Sequence, residues 1–220
     1  MKKITSTIIF LMLMFGHSSA DIGVNVGISG QMGLFAATAK EDDTDSLNRV
    51  ESHSNSEIAG VGYVSVFLEK TLGDRLAVGV DYVPDALSSD QVETGKNDKT
   101  SSATSARVEN KLKVDFKDLT TFYVSANVTD NFYVKAGITN VDVITKENLG
   151  TGGQYGNTDL DGTALGFGYN RTMDNGMFVR AETTYMDFDG ATVTSTNTNN
   201  VVTLKSLDGI TAKLSIGKSF

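Results

Sequence analysis

Glu51, Ser52, His53, Ser54 and Glu57 lie within seven positions of one another, and a serine, an imidazole and a carboxylate are the parts of a nucleophilic triad. A triad works only when a rigid scaffold holds its members, and neighbouring positions in one polar loop supply none. His53 therefore reads as a solvated loop histidine, no residue is assigned a catalytic role, and no enzyme is expected. Glu41, Asp42, Asp43 and Asp45 crowd the same loop, and Asp159 and Asp161 lie further on. Clustered carboxylates can bind Ca²⁺, but neither stretch has the EF-hand spacing with its closing glutamate, so hydrated acidic loops are expected, with no metal and no cofactor. Gly150, Thr151, Gly152, Gly153 and Gly156 precede no helix, which removes a phosphate-cradling loop. One set of charges is different. Glu69, Asp81, Lys135, Arg180, Glu182 and Lys213 occur inside stretches that are otherwise apolar at every second position.

Those stretches must position the charges. After Lys2 and Lys3 comes the apolar run of residues 8–15, then Ser18-Ser19-Ala20, the three parts of a secretory signal. The expected domains are a signal at 1–20 and one domain at 21–220. With no cysteine, neither a lipoprotein anchor nor a disulfide is available. The net charge of −8 falls to −10 once Lys2 and Lys3 leave, so nucleic acid is not a partner. No later segment is apolar enough to cross a bilayer as a helix.

Period two dominates the remainder. It predicts eight strands at about 22–35, 58–70, 76–83, 111–128, 132–144, 163–170, 177–188 and 207–220. Residues 71–74, 129–131 and 173–176 are tight turns built on Asn, Asp and Gly. Residues 39–57, 84–106, 147–162 and 189–206 are long polar loops, so short and long connections alternate. The fold class is thus all-β, an eight-stranded antiparallel transmembrane up-and-down β-barrel.

A soluble barrel of lipocalin type would alternate too. Two features separate them. The polar phase is rich in small residues, among them Gly23, Asn25, Gly27, Ser29, Gln31, Gly33, Gly79, Gly166, Gly168, Ser215 and Gly217, as a narrow packed lumen requires. On the apolar phase, Tyr82 and Tyr185 sit toward the loops, and Phe132, Tyr169 and Phe220 toward the turns, as two aromatic girdles would. Only Lys218 puts a charge on that phase, two residues from the end, where the cost is about 0–1 kcal/mol.

The signal, the eight strands, the three turns and terminal Phe220 together resemble small bacterial outer-membrane barrels of the OmpA, OmpX and opacity-protein type, across the whole mature chain. The resemblance implies the outer membrane of a Gram-negative cell, with lipid and lipopolysaccharide as surroundings. It also implies that the barrel-assembly machinery reads the last strand, where Ile210, Ala212, Leu214, Ile216 and Phe220 fit the signal and Lys218 departs from it. A monomer without an appended periplasmic domain is expected.

Eight strands enclose little more than their own side chains. The six internal charges therefore read as a structural network that plugs the lumen, with Glu182 and Lys213 paired and Arg180 near them. The alternative makes the same residues the gate of a narrow, porin-like channel for ions or small solutes. The second and fourth loops are almost free of aromatic anchors, which favours an envelope or general surface role over a high-affinity adhesin.

Overall fold

The computed structural model describes residues 23–44, 50–88, 92–99, 105–149, 154–196 and 199–220. The expected signal at 1–20, Asp45 and the glycine-rich 150–153 lie outside these. Ten strands follow one another: β1 (Val24–Thr44), β2 (Val50–Leu72), β3 (Leu76–Ser88), β4 (Val92–Lys99), β5 (Ser105–Asn127), β6 (Phe132–Leu149), β7 (Thr158–Thr172), β8 (Met177–Phe188), β9 (Ala191–Thr194) and β10 (Val201–Ser219). Eight of them form an antiparallel ring, β1-β2-β3-β5-β6-β7-β8-β10, which closes where β10 pairs with β1 from Asn25 opposite Ser219 to Asp42 opposite Val201. β4 folds back on β5, and β9 on β10.

The tight turns fall where Asn, Asp and Gly placed them. Gly73 and Gly176 take φ of 67° and 78°, the left-handed region that a side chain disfavours. In the turn after β5, the Thr129 hydroxyl accepts the N–H groups of Asn131 (3.3 Å) and Phe132 (3.0 Å).

At the other end the strands correct the expected loop boundaries. Much of 39–57 is strand, because β1 and β2 stay paired out to Thr44 opposite Val50. The span 84–106 contains β4, and 189–206 contains β9 and the start of β10. The reason is physical. A hairpin standing in water is wet on both faces, so it has no need of apolar alternation, and its ladder hydrogen bonds hold it without that signature.

A second correction concerns phase. Phe116 reads from sequence as sharing a face with Phe122. Between Lys117 and Thr120 the β5–β6 register shifts, and Asp118 there has φ of 53°. Such a bulge reverses which side the next residues face. Phe116 accordingly packs against the internal apolar cluster.

Candidate functional site

The barrel interior is built in tiers. At the turn end, β8 sends Arg180 across the lumen to Glu69 of β2. Its two terminal nitrogens donate to the two carboxylate oxygens at 2.8 Å each, the forked geometry that makes such pairs strong. Glu69 also accepts from Asn25 Nδ2 (3.2 Å) and the Tyr123 hydroxyl (3.0 Å). The rings of Phe67, Tyr133 and Phe178 surround the guanidinium, with centroids 5.1–5.3 Å from Cζ. Cation–π attraction thereby adds to the ion pair.

One tier further in, Glu182 stands opposite Lys213 in the β8–β10 ladder, and their side chains meet at 3.0 Å. Glu182 also accepts from Lys135, the Tyr133 hydroxyl (2.6 Å) and the Thr184 hydroxyl (3.0 Å). Lys213 reaches on to Asp81 at 2.8 Å. Three acids thus balance three bases, and Glu69, Asp81, Lys135, Glu182 and Lys213 are all buried. Around them the wall bonds to itself, Ser29 to Ser215 (2.8 Å), Gln31 to Ser65 (2.8 Å) and Thr121 to Thr139 (3.1 Å).

Toward the loops the interior becomes apolar. Tyr63, Val83, Leu119, Val141, Leu160, Met186, Phe188 and Leu207 form one buried cluster, with Phe35 and Phe116 packed against it. A void of about 10 Å³ separates this cluster from the charges, the room of about one water. A larger cavity, about 180 Å³, lies at the turn end beside Arg180, Glu69 and Asn25.

The six charges stand out in the sequence, but not all of their pairings do. Glu182 and Lys213 do meet. Arg180 belongs instead to Glu69, 111 positions away in the chain. The interior aromatics went unread. Phe67, Tyr123, Tyr133 and Phe178 lie over Gly27, Gly79, Gly168 and Gly217 of neighbouring strands, and a Cβ on Gly79 would stand 2.7 Å from the Tyr123 ring. The glycines of the polar phase, read only as small, are the available clue: each makes room for a ring.

At the rim, Ser52 donates to Asp42 (2.5 Å) and Ser54 to the Ala39 carbonyl (3.3 Å), so both hydroxyls turn to β1, while His53 lies 3.6 Å from Glu51. The Lys40 ammonium, helped by the Ser52 hydroxyl, holds the half-buried Asp42 carboxyl below its ordinary pKa.

The outer surface of the barrel reverses the usual rule for a protein in water. Ile28, Met32 and Leu34 of β1, Val64 of β2, Ile138 of β6, Leu165 and Phe167 of β7, and Ile210, Leu214 and Ile216 of β10 are all exposed. Toward the turns, Phe132 and Tyr169 stack edge to face at 5.2 Å on the outside. Toward the loops, Tyr185 donates to Asp208 (2.8 Å), and Tyr82 to Asp118. A closed ring of strands wearing an apolar band is stable only in a bilayer. It is an eight-stranded transmembrane β-barrel. Ala212 shares the outward face of β10, Phe220 exchanges backbone hydrogen bonds with Val24 just beyond it, and Lys218 turns to the Asn175 carbonyl at 2.7 Å.

No protein-family model and no curated protein matches the chain. Among solved structures, the outer-membrane protein OprG from Pseudomonas aeruginosa is similar at 13% identity and a TM-score of 0.49, over 88% of this chain and 96% of that one. Ail, the attachment invasion locus protein of Yersinia pestis, solved with the heparin analogue sucrose octasulfate, is similar at 11% identity and a TM-score of 0.39, over 88% of this chain and 99% of that one. A FadL homologue of Pseudomonas aeruginosa gives 8% identity and 0.35, over 90% of each chain. At identities this low, no residue role passes from those proteins to this barrel.

Three outcomes are predicted for equilibrium urea unfolding of the barrel from lipid vesicles. Leu214→Arg, on the exposed band, costs about 2–4 kcal/mol, the penalty of a cation at mid-bilayer, whereas Lys218→Leu shifts stability by less than about 1 kcal/mol. Glu182→Gln strips Lys135 and Lys213 of their shared partner and costs about 3–5 kcal/mol. An unmoved unfolding midpoint in Glu182→Gln would mean that the network does not hold the wall.

Proposed function

We propose that the barrel is shut to ions along its axis and that its outer half passes small apolar molecules sideways into the bilayer between β2 and β3. The observation that carries this reading is where one ladder stops. β2 pairs with β3 only from Leu72 opposite Leu76 to Val66 opposite Tyr82. Yet β2 runs on to Val50 along β1, and β3 to Ser88 along β5. Beyond Val66 the outward residues of β2 carry no charge, with Val64, Gly62, Gly60 and Ile58 all exposed, and the ladder ends at the level of the loop-side girdle that Tyr82 marks. Backbone groups without a partner in hydrocarbon cost several kcal/mol each. A wall built only for closure would zip this pair to the rim. Pro84, the chain's single proline, stands two residues past Tyr82 and has no N–H to give to a ladder.

Behind the seam stand Tyr63 and Val83, both members of the apolar cluster. The seam therefore separates one apolar environment from another, the interior cluster from lipid. Along the axis, the neutral set of six charges and the packed cluster above it favour a shut lumen over a narrow ion channel. A purely structural envelope role would have no use for the seam. In this reading the barrel works as a monomer amid lipid and lipopolysaccharide, without cofactor or catalytic step. The assembly machinery recognises Ile210, Ala212, Leu214, Ile216 and Phe220, and Tyr82, Phe132, Tyr169 and Tyr185 anchor the two interfaces.

The chain has no cysteine, so a locking pair can be introduced cleanly. Continuing the register by two residues puts Val64 opposite Pro84. Cells producing the barrel should take up a naphthylamine dye several-fold faster than cells without it. In the Val64→Cys/Pro84→Cys protein, oxidation should return uptake to background and a reductant should restore it. Equal uptake with the pair oxidised and reduced, in protein shown by gel mobility to be folded and cross-linked, would refute the lateral route.

A further inference from the structure

We infer that Tyr63 makes this route selective for small, mostly apolar molecules carrying a single hydrogen-bonding group, such as an aromatic alcohol, over the parent hydrocarbon; the inference rests on the lateral route proposed above. Tyr63 faces inward from β2, opposite Gln31 of β1. Its side chain is buried, and its hydroxyl makes no hydrogen bond of good geometry, with the Thr211 hydroxyl close enough for only a weak one. The other two lumen tyrosines differ. Tyr123 donates to Glu69 and Tyr133 to Glu182. A buried hydroxyl without a partner is costly, and an unmet group is where a ligand gains most.

The position of Tyr63 gives the unmet hydroxyl its meaning. The void beside it is bounded on one side by Gln31, Asp81 and Lys213, and on the other by Val83, Leu119 and Met186. The polar side is already engaged: Gln31 donates to Ser65, Lys213 to Asp81, and the Thr211 hydroxyl to the Thr184 carbonyl at 3.4 Å. Tyr63 therefore sits at the floor of the apolar cluster with donor and acceptor capacity to spare. A molecule entering through the seam meets apolar side chains first and this hydroxyl at their base. A hydrocarbon leaves the hydroxyl unmet, whereas a molecule of the same shape with one hydroxyl satisfies it. The void holds about one water, so either solute enters only as the cluster side chains move aside.

The test compares 1-naphthol with naphthalene, in cells producing the wild-type barrel, the Tyr63→Phe variant, or the Val64→Cys/Pro84→Cys pair. Tyr63→Phe removes one oxygen and keeps the ring that packs the cluster. It should lower seam-dependent naphthol uptake roughly fivefold, the scale of one neutral hydrogen bond, and leave naphthalene uptake within about twofold. An unchanged naphthol-to-naphthalene ratio, with both solutes still blocked by the oxidised pair, would overturn the role of Tyr63 while the route stood, as it would if an ordered water alone served the hydroxyl. If the oxidised pair blocks neither solute, the route fails and the selectivity of Tyr63 fails with it.

Discussion

A strand that crosses hydrocarbon must pair its backbone along both edges, because lipid offers no hydrogen bonds in exchange. Most other features of this barrel depend on that constraint. Closure of β1 on β10 removes the free edges. Closure of eight strands also leaves an interior little wider than its own side chains, so most of its polar groups must find partners there. Alternation then sorts each strand. Leu214 and Ile216 face outward where Lys213 and Ser215 face inward, apolar to the lipid and, apart from groups such as the Tyr63 hydroxyl, self-sufficient within.

Self-sufficiency explains the particular residues inside. A lone buried charge would be ruinous, and a pair breaks even only when its remaining hydrogen-bonding sites are filled. Glu69 and Glu182 meet that condition through Tyr123, Asn25, Tyr133 and Thr184 as much as through their cations. The tyrosines need space in a crowded tube. Glycines on neighbouring strands provide it, as Gly79 does for Tyr123. Charge, ring and glycine are thus one packing solution.

The spanning architecture was legible in the amino-acid sequence because a bilayer imposes contrast. The alternation of Ile210, Ala212, Leu214 and Ile216 with polar neighbours, and the turn residues at 71–74, 129–131 and 173–176, located strands and hairpins closely. Above the bilayer the contrast vanishes, so the strand pairing of Lys40, Glu41 and Asp42 with Ser54, His53 and Ser52 left no periodic trace. The six lumen charges stood out as polar residues in apolar stretches. Their partners did not, because tilt and closure, not sequence distance, bring Arg180 to Glu69. Tyr123 and Tyr133 were hidden for another reason: an aromatic on the polar phase looks like a break in pattern until the glycine beside it is seen. Pro84 was a visible signal of the departure of β3 from β2, but its meaning depends on a register that only the ladder reveals.

The proposed seam and the proposed shut axis are complementary. A barrel that leaks ions through its centre would have no need of a side exit, and one that is closed at its centre has no other way to pass a solute. The central claim is therefore the closed axis, and planar-bilayer recording of the purified protein tests it most directly. Protein shown to be folded should give no discrete conductance steps, and Glu182→Gln should be the variant that introduces them. Reproducible steps from the unmodified barrel, with ion selectivity shifted by Glu182→Gln, would contradict the account and make the charged lumen a pore.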